Sequence, residues 1–174
     1  AAAEASSAPA ARSASASSGP LMNRRRVVVR MSPILRDEAS SSTAPVEPER
    51  VMSGHEEDIL SIAYSPPNLL ATSGYDGSVL VWNMDSGVAK FSFTIPNVSS
   101  LDVDQRAVWK LLFLDQRDHA LVSSGADGCL RLWNVKEGAL TLEFDSGHRR
   151  GEAVVSMATD PSNSFLFTAD TAGY

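Results

Sequence analysis

The chain reads as an all-β fold built from repeated four-stranded antiparallel units. Three observations predict this. The first is a phrase written twice: residues 69–84 and 120–135 each carry a small hydroxyl residue, an Asp-Gly pair beginning four positions later, and a Trp six positions after the Asp. The second is the setting of Asp76-Gly77 and Asp127-Gly128 between apolar, β-branched runs. Asp-Gly tolerates the positive φ of a tight hairpin turn, so each pair marks a hairpin. The third is a set of strand-length runs at matched places before and after each hairpin. A repeat of this size is one supersecondary unit used several times, which moves the search for function from a catalytic centre to a surface.

The elements follow in order. Residues 59–64 form a first strand, stopped by Ser65-Pro66-Pro67-Asn68, a turn-making and strand-breaking sequence. Residues 69–74 pair with 78–84 across Asp76-Gly77. After the Ser86-Gly87 turn, residues 89–94 alternate as a strand should. In the second unit residues 108–114 are the first strand, 115–119 the loop, 120–125 and 129–135 the hairpin. Glu137-Gly138 turns into the fourth strand at 140–144. A third unit begins at 153–158, turns at Asp160-Pro161-Ser162-Asn163 and continues at 165–169. Residues 46–52 form a strand that precedes the first unit.

This pattern resembles the WD-repeat family. The matching residues are Gly54-His55, Thr72, Asp76-Gly77 and Trp82, then Ser123, Asp127-Gly128 and Trp133, then Gly147-His148, Thr168 and Gly173. The family's closing Trp-Asp pair stands here as Trp82-Asn83 and Trp133-Asn134. The resemblance implies a fragment of a β-propeller over residues 46–174, with complete four-stranded blades at about 54–95 and 101–144 and a truncated one at 147–174. It also implies a buried polar chain in each blade. The first blade has the full set, His55, Asp76, Thr72 and Trp82. The second has Ser123, Asp127 and Trp133 but no histidine, because residues 101–106 replace the Gly-His stretch. The third has His148 and Thr168, with Ala172 where the acid is expected. The first blade is therefore expected to be the most rigid.

Composition bounds the rest. The net charge is −6; acids outnumber bases in residues 51–174, while residues 1–50 are slightly basic. An acidic repeat portion argues against nucleic acid as its partner. No apolar run approaches a membrane span. A lone cysteine, Cys129, excludes an internal disulfide, fits a reducing compartment and reads as a small core residue. Residues 1–20 are nearly all Ala, Ser, Pro and Gly, and 1–45 as a whole is expected to be disordered, with a basic stretch at 24–30. The chain starts without Met and stops within a hairpin, so it is expected to be part of a longer protein.

No catalytic, cofactor or metal site is expected. His55 and His148 fit structural hydrogen bonds, His119 a solvated loop, and no His, Cys or carboxylate pair has zinc spacing. Asp102-Val103-Asp104 lacks the glycine of a calcium loop. No nucleophile elbow or phosphate-cradling glycine loop is present. Candidate partner-binding residues are Glu56, Glu57, Asp58 and Tyr75, on two loops that the family resemblance puts at one end of the propeller. The other candidate is the basic arm Arg24, Arg25, Arg26 and Arg30. The expected function is a non-enzymatic scaffold for other proteins. The phrases at 57–60, 66–72, 73–77 and 169–174 resemble the large tandem-propeller WD-repeat proteins of cilia and flagella. That resemblance implies axonemal or microtubule-associated partners and a cytoplasmic or axonemal location. The alternative is a scaffold or substrate-receptor subunit of a multiprotein enzyme complex such as a ubiquitin ligase.

Overall fold

The structure, a computed structural model, describes residues 28–31, 50–115, 120–148 and 151–173. It is almost all β. Strands β1 (Val28–Met31) and β2 (Arg50–Ser53) form an antiparallel pair. The first four-stranded sheet is β3 (Ile59–Ser65), β4 (Leu69–Gly74), β5 (Ser78–Asn83) and β6 (Val88–Thr94), adjacent in chain order. The second repeats it with β7 (Val108–Asp115), β8 (Ala120–Gly125), β9 (Cys129–Asn134) and β10 (Ala139–Asp145). A last antiparallel pair, β11 (Val154–Thr159) and β12 (Leu166–Asp170), begins the third unit.

Local chemistry explains the repeated shape. Gly77 and Gly128 close the hairpins at φ of 73° and 79°, a region glycine enters without steric cost. In β3, β7 and β11 the register slips by one residue near the start, at Ile59/Ser61, Val108/Lys110 and Val154/Ser156. A bulge at the same place in each first strand adds twist to each unit alike. Asn83 and Asn134 answer why Asn follows Trp here. The Asn83 side-chain oxygen accepts from the amides of Asp85 (2.8 Å) and Ser86 (3.1 Å). Asn134 does the same for Lys136 (2.9 Å) and Glu137 (3.1 Å). An amide oxygen makes this turn as an aspartate oxygen would.

The apolar core lies between sheets. Leu69, Ala71, Val79, Val81, Phe93 and Ile95 of the first sheet pack on Val108, Leu111, Leu121, Trp133 and Val135 of the second and its flanks. Phe93 stacks on Trp133 at 4.8 Å. Met52 of β2 packs on Leu70, Leu80 and Trp82. Val122 and Leu130 pack on Val154 and Met157 of the third unit. Among the described residues three buried hydroxyls tie the units together: Ser73 donates to the Val108 carbonyl at 2.9 Å, Ser124 donates to the Val154 carbonyl at 2.7 Å, and Ser61 Oγ accepts from the Leu111 amide at 3.1 Å.

The structure differs from the sequence reading at several places. The first strand of the second unit starts at Val108 as expected, but the connector ahead of it is helical: Val98–Ser100 is a 3-10 turn and α1 (Val103–Arg106) a single helical turn. Without Gly-His to seat in a polar network, this connector satisfies its amides locally, as where Asp102 N–H donates to the Gln105 side chain at 3.3 Å. The strand expected at 46–52 appears as Arg50–Ser53. Residues 46–49, the Ala/Ser-rich segment 1–20, Arg24, Arg25, Arg26 and His119 lie outside the described residues. Arg30 falls within β1. No helix among the described residues is long and apolar enough to cross a membrane.

Candidate functional site

In the first unit the hairpin turn brings Asp76 under the loop that carries His55. Trp82 Nε1–H donates to Thr72 Oγ1 at 2.8 Å, and Thr72 Oγ1 lies 2.8 Å from His55 Nε2. His55 Nδ1 lies 2.9 Å from Asp76 Oδ2. The donors are consistent if Thr72 O–H donates to Nε2 and Nδ1–H donates to Asp76, which assigns the tautomer. Asp76 also accepts from the Glu56 amide (3.0 Å), the Ser78 amide (3.0 Å) and the Ser78 hydroxyl (2.6 Å). Hydroxyl, imidazole and carboxylate thus stand in the order of a nucleophile triad. Here Thr72 is 0% and His55 4% exposed, and the hydroxyl oxygen is already taken by the indole, so no substrate carbonyl can approach it. The arrangement is a sealed, satisfied network that fixes one geometry.

Burial pushes the Asp76 carboxyl up, but hydrogen bonds from His55 and Ser78 outweigh it and hold the group at about 2. A carboxyl depressed in the folded state stabilises the fold fully above the ordinary value of about 4, and that contribution is lost as pH falls toward 2. After allowance for solvent screening at the turn, Asp76 should supply about 1–2 kcal/mol. Denaturant midpoints measured from pH 5 down to pH 2.5 should therefore fall more steeply for the unaltered protein than for Asp76→Asn.

The second unit keeps only part of this network. Trp133 Nε1–H donates to Ser123 Oγ at 2.8 Å. Asp127, expected in the same chain, is not joined to that pair. Its carboxylate turns to Arg131, which donates through Nη2 (2.5 Å) and Nη1 (3.3 Å) to Asp127 and through Nε to Glu143 at 2.7 Å. Arg131 is 3% exposed. Burial works against its charge, but Asp127 and Glu143 beside it raise its proton affinity. Cys129, half-buried at the start of β9, has its thiol pushed up first by burial and then by Asp127.

In the third unit the acid is present after all. His148 Nε2 lies 2.9 Å from Thr168 Oγ1 and Nδ1 lies 2.9 Å from Asp170 Oδ2. Ala172 occupies the turn position, but Asp170, two residues nearer the strand, reaches the same imidazole. It stands where the first two units have Gly74 and Gly125. A Cβ on Gly125 would collide with Asp127 Oδ1, so in the second unit a side chain at this position and the acid at the turn compete for one space.

The two candidate partner-binding loops do come together. The Tyr75 amide donates to the Asp58 carbonyl at 3.1 Å. Glu56, Glu57 and Asp58 are exposed, and Tyr75 is half-buried. Its ring meets the Trp109 ring edge-on at 5.9 Å. Among the described residues no group of three or more His, Cys, Asp and Glu side chains is placed to hold a metal ion.

Comparison with known proteins adds to this geometry. The family model described as WD domain, G-beta repeat matches residues 46–83 and 96–134, stretches that hold β2 to β5 and the connector to β9. Periodic tryptophan protein 2 of Arabidopsis thaliana is 34% identical over 114 residues, 65% of this chain and 11% of the relative. The tRNA (guanine-N(7)-)-methyltransferase non-catalytic subunit wdr4 of Dictyostelium discoideum is 25% identical over 132 residues, 71% of this chain and 27% of the relative. The tRNA (34-2'-O)-methyltransferase regulator WDR6 of Mus musculus is 29% identical over 131 residues, 75% of this chain and 11% of the relative. The chain spans only a small share of each of these proteins.

Proposed function

We propose, from the premise that this chain carries WD40 repeats, that it works as a non-enzymatic scaffold for other proteins. The partner-binding face is the rim that holds Glu56, Glu57, Asp58 and Tyr75. The observation that supports this reading is the pairing of an exposed acidic loop with an aromatic ring held in place. Backbone and side-chain bonds fix the loop to the Tyr75–Asp76 turn, and Trp109 backs the ring. A prepositioned aromatic beside polar groups is a low-entropy contact point for a protein surface. The acidic loop favours a basic partner surface over a phosphate backbone.

A second reading, a subunit that serves an enzyme without catalysing, is favoured by the names of two relatives, one a non-catalytic subunit and one a regulator of a methyltransferase. A ciliary or axonemal role rests on the short sequence phrases at 57–60, 66–72, 73–77 and 169–174, and places the protein in the cytoplasm and axoneme. Imaging the tagged intact protein in ciliated cells tests that location; exclusion from the axoneme removes it.

The partner face is tested with Glu57→Lys, Asp58→Lys and Tyr75→Ala combined in the intact protein. Proximity labelling should lose at least one partner about tenfold or more, with the circular dichroism spectrum unchanged. If the basic arm is the contact instead, replacing Arg24, Arg25, Arg26 and Arg30 by Ser removes the partner, and the interaction weakens steeply with salt. An unchanged partner set for both variants would place the contact surface elsewhere.

A further inference from the structure

In the first and third units an imidazole arriving from the preceding connector holds the carboxylate. The second unit has no histidine in residues 96–107, and its carboxylate is held from another direction. Arg131 stands two residues before Trp133, as Leu80 stands two before Trp82. Leu80 is buried directly beneath the histidine loop: a Cβ on Gly54 would lie 2.9 Å from Leu80 Cδ1 and from Trp82 Cη2. A longer side chain at the Leu80 position is thus directed toward the space that Gly54-His55 closes in the first unit. In the second unit that longer side chain is a guanidinium, and both Asp127 oxygens meet it. Gly125 belongs to the same arrangement, because a Cβ there would lie 2.2 Å from Asp127 Oδ1 and 3.0 Å from Arg131 Nη1.

We infer that Arg131 is the positioning residue that replaces the missing histidine of the second unit, holding the turn carboxylate from within the sheet and linking it to Glu143 on the outer strand. The planar fork suits the task, because it binds two carboxylates at once in fixed directions. The exchange also accounts for the connector. Once the carboxylate is held by β9, residues 96–107 need no Gly-His and are free to fold as helical turns. This exchange stands whether or not the rim binds a partner.

Transplanting the device tests it. In the intact protein His55→Leu should lower the folded-to-unfolded ratio by about tenfold or more. Adding Leu80→Arg to that variant should recover at least half of the loss on a logarithmic scale. Leu80→Arg alone, with His55 still in place, should lower the ratio. A second measurement needs no destabilised variant: the Arg131 Nε–H should give a resolved nitrogen-15 resonance protected from exchange, and Arg131→Lys should fall between the unaltered protein and Arg131→Leu in stability. Failure of Leu80→Arg to recover any stability, or an Arg131 Nε–H in fast exchange, overturns the inference.

Discussion

Trp82→Ala is expected to destabilise the intact protein by about 3–5 kcal/mol, and by about 1 kcal/mol more than Trp133→Ala. Both indoles are 3% exposed, so both substitutions open a cavity of similar size. Two differences then compete. Trp133 loses its stack on Phe93, an arrangement worth about 0.5–1.5 kcal/mol beyond area. Trp82 loses the donor that completes the Thr72–His55–Asp76 series, which disturbs buried polar groups at about 1–3 kcal/mol. The polar term is the larger, because Trp133 bonds only to Ser123 and that pair stands apart from Asp127. Denaturant midpoints compared at equal m-value decide it. Equal losses would mean that the polar series adds nothing to the packing.

Thr72→Val isolates the polar term without a cavity, since the two side chains have nearly the same volume. One hydroxyl there serves two buried partners, the Trp82 indole and the His55 ring, and Thr72 itself is 0% exposed. The expected loss is about 2–4 kcal/mol, because two groups lose a partner at about 1–2 kcal/mol each. Ser123→Ala strands only the Trp133 indole and should cost about half as much. Unfolding free energies of the two variants measured side by side check the ratio. A Thr72→Val loss no larger than that of Ser123→Ala would show that His55 finds a replacement partner.

The hairpins and their Asp-Gly turns are legible in the sequence because they depend on short, local spacing, while the indole–hydroxyl pairs follow from the resemblance to WD repeats. Thr72 and Trp82 are ten residues apart across one tight turn, and the Trp82 indole reaches the Thr72 hydroxyl diagonally across the β4–β5 pair. The arginine cluster was not read, because Arg131 reaches Glu143 only through the register of β9 on β10. A signal was there: Arg131 interrupts an apolar alternation at a position where the first unit has Leu80. Asp170 was missed for a related reason. In the first two units the acid stands four residues after the hydroxyl, whereas the strand position two residues after it also points at the imidazole. The helical connector at 98–106 has no counterpart in the first unit, so the repeat itself offered no template for it.

The placement of the apolar layers between sheets has a consequence for synthesis. Among the described residues, the face made by Leu69, Ala71, Val79 and Val81 packs on Val108, Leu111, Leu121, Trp133 and Val135. A ribosome that has released residues 50–95 has therefore released a sheet with one wet apolar face. Burial is the main term that offsets chain ordering, so that sheet cannot complete its packing until residues through about 135 have emerged. Folding along this chain is expected to run one unit behind translation, and the stretch of synthesis from Ile95 to Val135 leaves that apolar face open to chaperones and to aggregation.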